Sequence, residues 1–413
     1  MTNFIKHSAH HYTEMFVGIV GKPSCGKSTF FKAATLAEVD IANYPFTTIK
    51  PNHAVGFVKV DCVDKEFEKQ CNPREGFCSH GWRFVPIDLM DVAGLVPGAH
   101  EGLGMGNQFL DDLRQADALV HVIDISGSVN EKGEPVTPLS YDPENDVRFL
   151  EEELDMWYLG IINKGWEKFA RTVMQEKKSI AVAIGKQLSG LKVTEEMTEN
   201  IIKQLGLDPE KPNTWTDGNL KTLATELRKL TKPIIIAANK VDYPGSEKNY
   251  ERIKEKFSDY IIIPCSAESE LALKEAAKHN VIDYVPGDKT FKIIDDAKLN
   301  DKQKKALGFI QQNVLDKFGS TGVQTVLDNS IFQLLKYLAI FPGGVNKLED
   351  QHGNVLPDCF LLPEGSTALD FAFKIHTDIG KGFIRAIDVK TKRTVGKEHV
   401  LKHRDVVEIV TAK

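Results

Sequence analysis

The stretch Gly21-Lys22-Pro23-Ser24-Cys25-Gly26-Lys27-Ser28 constrains this chain more than any other. It fits G-x-x-x-x-G-K-[ST], a loop whose backbone amides wrap a phosphate. The apolar run Phe16-Val17-Gly18-Ile19-Val20 before it reads as a buried strand, and the run from Ser28 to Ala37 as a helix start. Strand, glycine loop and helix N-terminus together give the pattern its physical meaning, because the amides and the helix end then point at one anion. Gly21 and Gly26 let the backbone curl with no Cβ in the way. Lys27 offers a positive charge to the β- and γ-phosphates, and the Ser28 hydroxyl is placed to ligate Mg²⁺. Gly21, Ser24, Cys25, Gly26, Lys27, Ser28 and Thr29 are therefore candidate contacts to a nucleoside triphosphate.

The rest of the chain supplies an α/β frame. Met15–Val20, Arg83–Asp91 and Ala118–Ile125 are apolar strands separated by glycine turns and helical segments, the pattern of a parallel sheet. From about 130 to 230 the period changes. Val147, Leu150, Leu154, Trp157 and Ile161 recur at helical spacing, so a helical insertion with plain core packing is expected there. Pro233–Ala238 and Tyr260–Pro264 resume the sheet, and helices are expected over Ser269–Lys278, Asp301–Lys317 and Val323–Leu338. Pro342-Gly343-Gly344 marks a boundary. The expected domains are 15–340, with the insertion inside it, and 341–413, a small α+β domain of ubiquitin-like type whose helix opens on the capping box Thr367-x-x-Asp370. No apolar run reaches the roughly 18 residues of a membrane span. Met1–Glu14 lacks the apolar core of a secretory leader, and six cysteines in 413 residues do not make a disulfide scaffold. A reducing, cytoplasmic location and no membrane partner are expected.

Further motifs follow the phosphate loop in a fixed order, each at a strand end: Thr47-Thr48, Asp91-x-x-Gly94, Asn239-Lys240-x-Asp242, and Ser266-Ala267. Strand ends are where ligands sit in a parallel α/β sheet. The glycines 94, 98, 102, 104 and 106 suggest a loop that ligand contacts can order. Together these residues resemble the translational GTPases of the P-loop class, specifically the Obg family. The resemblance is close in Tyr44-Pro45-Phe46-Thr47-Thr48-Ile49-x-Pro51-Asn52, in Asp91-Val92-Ala93-Gly94-Leu95-Val96-Pro97-Gly98 and in Gly104-x-Gly106-Asn107-Gln108-Phe109-Leu110. Asp358-x-Phe360-Leu361-Leu362, Gly365-Ser366-Thr367-Ala368 and Lys374-Ile375-His376-Thr377-Asp378-Ile379-Gly380 resemble a TGS domain. The pairing is similar to the YchF-like branch in its archaeal and eukaryotic form. It implies a P-loop GTPase parallel-sheet domain followed by a β-grasp TGS domain.

The resemblance also implies roles. Lys27 and the loop amides would hold phosphates. Ser28 and Thr48 would ligate Mg²⁺, with Thr47 the less favoured of the threonine pair, and Asp91 would steady the metal through water. The Gly94 amide would sense the γ-phosphate. Asn239, Lys240, Asp242, Ser266 and Ala267 would bind the base. Asp242 can accept from N1–H and the 2-amino group of guanine, whereas adenine offers neither donor and would leave a carboxylate unpaired. YchF itself departs from that motif and tolerates ATP; this chain keeps Asn239, Lys240 and Asp242, so GTP is the expected substrate and GDP the product. Leu95 stands where many GTPases carry a water-orienting Gln. His100 is a candidate for that task. A same-fold ATPase and a nucleotide-sensing scaffold with incidental hydrolysis stay open beside the GTPase.

Two clusters complete the reading. Cys62, Cys71, Cys78 and His80 are a candidate Zn²⁺ set, though their spacing lacks a C-x₂-C knuckle, and free thiols are the alternative. The chain is acidic overall, at −6, yet residues 374–404 hold nine Lys or Arg against three Asp or Glu. A basic patch on an acidic protein suggests an anionic partner, RNA or the ribosome, with a solvated charged face as the alternative.

Overall fold

The computed structural model describes residues 15–35, 52–92 and 112–412. Thr47, Thr48, Gly94, Leu95 and His100, with the rest of the glycine-rich segment up to Asp111, lie outside the described residues. So does the expected helix beyond Thr35.

A seven-stranded sheet carries the first part of the chain, in the order β2-β4-β1-β5-β6-β7 with β3 also on β4. Its strands are β1 (Phe16–Val20), β2 (His53–Asp61), β3 (Phe77–Ser79), β4 (Trp82–Asp91), β5 (Ala118–Asp124), β6 (Ile234–Asn239) and β7 (Ile261–Pro264). β4, β1, β5, β6 and β7 run parallel, while β2 and β3 add to β4 antiparallel. The chain leaves β1 toward β4 on one side, then returns to β5 on the other. That reversal opens a crevice at the C-terminal ends of β1 and β5, directly after which the phosphate loop begins.

Residue alternation fixes the two faces. Val20, Leu119, Ile123, Ile234, Ile236 and Ala238 face one core; Val17, Ile19, Val120, Val122, Ile235 and Ala237 face the other. Both sets are buried, as a parallel sheet covered on both sides requires. α1 (Lys27–Thr35) contributes Phe30 and Ala33 to the second core. The first is covered by the long crossover between β5 and β6, which is helical: α2 (Glu144–Asn163), α3 (Trp166–Gln175), α4 (Ile180–Gln187), α5 (Glu195–Gln204) and α6 (Asp217–Thr231). Val147, Leu150, Leu154 and Trp157 of the predicted stripe are buried in it, facing Leu220, Leu223 and Leu227 of α6. Arg228, 2% exposed, pairs with Asp155 at 2.8 Å and ties α6 to α2. α7 (Ser246–Lys256) and α8 (Ala267–Lys278) follow β6 and β7. The pair β8 (Ile282–Asp283) and β9 (Lys292–Ile293) leads into α9 (Asp301–Ile310) and α10 (Val323–Asn329). Among the described residues, no helix is long and apolar enough to cross a membrane.

The sequence reading extends a helix to Leu338, but the chain turns earlier. A wide helical turn over Ser330–Leu334 follows α10, Lys336 takes φ 54°, and β10 (Tyr337–Pro342) begins. The run Leu338-Ala339-Ile340-Phe341 therefore serves a sheet, with Ala339 and Phe341 in one core and Leu338 and Ile340 in another. This second sheet has the order β11-β10-β14-β12-β13, with β11 (Phe360–Pro363), β12 (Phe383–Asp388), β13 (Arg393–Val395) and β14 (Val406–Thr411). Its central pair β10 and β14 is parallel and the other pairs are antiparallel. α11 (Ala368–Ile375) lies on it, started by the reciprocal Thr367–Asp370 capping box, and buries Phe371 against Ile340, Leu362 and Val407.

The two sheets share a core. Ala339, Phe341 and Val406 of the second pack with Val58, Val60, Cys62 and Val63 of the first. Arg83 of β4, 1% exposed, donates to the carbonyls of Leu356 and Pro357. Asn72 N donates to Val355 O at 2.8 Å, and Arg74 Nε to Asp358 Oδ1 at 3.1 Å. The edge formed by β2, β3 and β4 is thereby the seat of the C-terminal part.

Candidate functional site

The phosphate loop leaves β1 at Gly21, which packs too closely for a side chain: a Cβ there would stand 2.6 Å from Val122 O. Ser24 takes φ 62° and Gly26 φ 94°, so the loop makes a tight ring before α1. Two of its carbonyls are drawn outward. Ser24 O accepts from Lys240 Nζ at 3.0 Å, and Cys25 O accepts from Asn239 Nδ2 at 3.0 Å. In a planar trans peptide the C=O and the following N–H point oppositely. Tying those carbonyls to the β6 end therefore turns the amides of Cys25 and Gly26 the other way, toward the loop interior. Asn239 also accepts the Ala267 amide on Oδ1 at 3.0 Å. One side chain, 3% exposed, thus fixes the phosphate loop against both the β6 and β7 ends.

Lys240 has a second anchor. Its ammonium pairs with Asp124 Oδ2 at 3.0 Å and reaches Ser128 Oγ at 3.2 Å. Asp124 ends β5 and is fully buried, which pushes its carboxyl up. Hydrogen bonds from Ser126 and Ser128, with the charge of Lys240, outweigh this and hold it below the ordinary value. The carboxylate therefore stays charged and keeps the Lys240 stem stretched along the loop. Lys240, Asn239 and Asp242 line a cavity together with Gly26, Thr29 and Ala267. Asp242 is half-buried at its wall. Ser266 does not offer its hydroxyl there: it caps α8, sharing a 2.7 Å contact with Ser269 Oγ.

At the other end of the loop, Lys27 Nζ forms an ion pair with Asp91 at the end of β4. Ser28 is exposed in the first turn of α1 beside it. A cationic head and a carboxylate thus meet on the crevice, with Ser28 the next residue in the chain after Lys27. Cys25 contributes backbone only. Its thiol is fully buried in the sheet core, and burial pushes it up to about 12.

Sequence reasoning passes over Lys22, the second residue of the loop. It is 4% exposed, pairs with Asp146 of α2 at 2.9 Å, donates to Val129 O at 2.9 Å and lies 3.8 Å from the Tyr141 ring centre. Lys22 thus belts the loop to the helical crossover. It occupies a variable position of the motif, and its partner lies in a helix whose packing no local pattern specifies. Asp124 is missed for the same reason; its one local signal is the run Asp124-x-Ser126-x-Ser128.

His80 requires a correction. It sits with Gly81 in the two-residue turn between β3 and β4, at φ 51° and 77°, the twist of a type I′ hairpin. Its ring is exposed and meets Asp283 at 3.2 Å. The cluster with Cys62, Cys71 and Cys78 instead contains Asp64.

Three family models match the chain: a 50S ribosome-binding GTPase over residues 16–164, the G4 motif-containing domain of YGR210-like Obg-like GTPases over 237–344, and a TGS domain over 351–411. A protein of Methanocaldococcus jannaschii described as an uncharacterised GTP-binding protein is 49% identical over 96% of this chain and 99% of its own. A GTP-binding protein of Schizosaccharomyces pombe is 35% identical over 86% and 88%. The ribosome-binding ATPase YchF of Buchnera aphidicola is 27% identical over 95% and 98%. Among solved structures, a GTP binding protein from Pyrococcus horikoshii superposes with TM-score 0.76 at 39% identity, covering 96% of this chain and all of that one.

The clamp generates a test. A Cβ on residue 26 would stand 2.2 Å from Asn239 Nδ2, at a φ of 94° that L-residues resist. Gly26→Ala is expected to weaken nucleotide binding at least about tenfold, roughly the 1.4 kcal/mol of one lost hydrogen bond. Calorimetric titration checks it, with far-ultraviolet circular dichroism showing the fold retained.

Proposed function

We propose that this chain, which belongs to the YchF-like branch of the Obg-like GTPase family, binds GTP in the crevice described above and hydrolyses it to GDP and phosphate. The observation that carries this reading is the Asn239 clamp, which sets a base-sized cavity and an amide-lined loop side by side. In this proposal the Cys25 and Gly26 amides and the Lys27 ammonium hold the β- and γ-phosphate oxygens. Ser28 Oγ, and Asp91 through water, are the hard oxygen donors that fit Mg²⁺. When bound, the metal would supply charge neutralisation between the two phosphates. Thr48 and Gly94 would close on the γ-phosphate, and their release after hydrolysis would be the switch. Leu95 carries no group that could orient water, so His100 or a partner would have to do so, and slow intrinsic turnover follows.

Base choice rests on Asp242. Its carboxylate would accept from guanine N1–H and N2–H₂, with the base lying along the Lys240 stem and Ala267 beneath it. An adenine would leave that carboxylate unsatisfied, at a cost of roughly 1–3 kcal/mol or more. Relatives named ATPases make the base the first quantity to measure. Asp242→Asn is expected to weaken GTP while admitting xanthosine triphosphate, whose 2-carbonyl matches the new amide. Equal affinity of the wild type for GTP and ATP would sink the assignment.

A cytoplasmic role at the ribosome is the proposed setting, supported by the names of the relatives and by the charge of the second sheet. Not all of that charge faces outward. Lys390 pairs with Glu66 at 2.7 Å, and Arg404 with Glu66 and Asp61 at 2.6 and 3.0 Å, so both bind the first sheet. Arg385, Lys392 and Arg393 stay exposed on the outer β12–β13 edge. RNA bound there through phosphates would weaken with salt by roughly 0.7–0.9 in logarithmic slope per contact. Replacing Lys392 and Arg393 by Ala is expected to lower that slope by roughly 1–2 in ribosome cosedimentation across a salt series, leaving basal GTP hydrolysis unchanged. An unchanged slope would place the contact elsewhere.

A further inference from the structure

Cys62, Asp64, Cys71 and Cys78 form the only cluster of metal-ligating type among the described residues. The backbone assembles it within a short span. Cys62 follows β2 directly, and its amide donates to Gly81 O at 3.0 Å. A single tight turn, Val63–Phe67, carries Asp64 back under Cys62 and is closed by Glu68 at φ 52°. Cys71 comes from the next loop, with its amide on Asp64 Oδ2 at 3.2 Å. Cys78 lies in β3, opposite Arg83 of β4. The four ligand atoms all stand within 4.8 Å of one another. Cys62 and Cys71 Sγ are 3.6 Å apart, and Cys78 Sγ is 3.9 Å from Asp64 Oδ2.

Those spacings approach a tetrahedron. Zinc bonds of about 2.3 Å to sulfur and about 2.0–2.2 Å to oxygen separate neighbouring ligand atoms by roughly 3.4–3.8 Å. Asp64 provides the second, independent observation. It is 3% exposed, and its Oδ1 has no hydrogen-bond partner. Packing of reduced thiols as small apolar groups would explain why Cys62 and Cys71 are buried. It would not explain a carboxylate turned in among them with an oxygen unmet, which costs roughly 1–3 kcal/mol. A cation at the centre offsets the charge of that buried carboxylate, and three thiolates favour a borderline-soft ion over Mg²⁺ or Ca²⁺. Arg83, buried across the ladder from Cys78, places a guanidinium beside a set that would keep net negative charge with the ion bound.

We propose that Cys62, Asp64, Cys71 and Cys78 hold one structural zinc ion. With four protein ligands the site is closed, which suits structure rather than catalysis. The braced segment is the one whose Asn72 and Arg74 amides bond Val355 O and Pro357 O at 2.8 and 2.9 Å. The ion therefore stiffens the seat of the second sheet. The proposal is independent of the nucleotide reading.

The test uses tag-free, full-length protein purified under reducing conditions without added metal. Mass spectrometry should find close to one zinc per chain, released when a mercurial titrates the thiols. Exchange for cobalt should give the visible bands of a tetrahedral ion and a thiolate charge-transfer band. Cys78→Ser, at the half-exposed position, should reduce zinc to a small fraction, and His80→Ala should keep it whole. If Cys78→Ser fails to fold, the wild-type metal content and cobalt spectrum decide alone. Protein that holds no zinc and takes up neither zinc chloride nor cobalt overturns the proposal. So does stoichiometric iron in its place, or loss of zinc in His80→Ala.

Discussion

The amide of Asn239 is the contact on which the site depends. It donates to the phosphate loop and accepts from the turn after β7, 3.0 Å on each side, at the C-terminal end of a fully buried strand. Beside it, the side chains of Lys22 and Lys240 also tie the loop at Gly21–Gly26. Both are long flexible side chains that lose rotamer entropy when pinned. An amide on a central strand is already rigid, so its two hydrogen bonds join the phosphate loop to the turn after β7 at little added entropic cost. Asp124 performs a related service for Lys240, trading the cost of burial for four donors from Ser126 and Ser128 and a fixed ammonium.

The second sheet is not a module hung on a linker. Its first strand packs Ala339 and Phe341 into the same core as Val58 and Val60, and Arg83 crosses from β4 to two carbonyls of the 348–358 loop. β4 ends at Asp91, which meets Lys27. One strand therefore carries the carboxylate paired with Lys27 at one end and the seat of the second sheet at the other.

Much of this could be read in the sequence, for a chemical reason. Phosphate and base recognition demand particular residue types at fixed spacing, so Gly21–Ser28, Asp91 and Asn239–Asp242 stand out as text. The α/β order and the helical crossover follow from apolar period, which Val147, Leu150 and Leu154 display plainly. What the sequence hides depends on neighbours far along the chain. Lys22 finds Asp146 only through packing of α2. Tyr337 and Leu338, the start of β10, read as the end of a helix because short apolar runs are ambiguous until strands pair with them. A Cys and His reading takes His80 and passes over Asp64, but a His-Gly hairpin turn leaves that ring exposed. Thr48 and Gly94, whose expected roles rest on the family resemblance, and His100, a candidate from its place in the glycine-rich segment, lie outside the described residues.

The central claim is that Asn239 holds the phosphate loop and the base turn as one unit. Hydrogen exchange of wild type and Asn239→Ala, with GDP affinity by calorimetry, tests it most directly. The account predicts that the variant loses protection both at residues 25–29 and at the Ala267 amide, with GDP affinity falling by at least about tenfold. Unchanged protection at either place, or wild-type affinity for GDP, would contradict it.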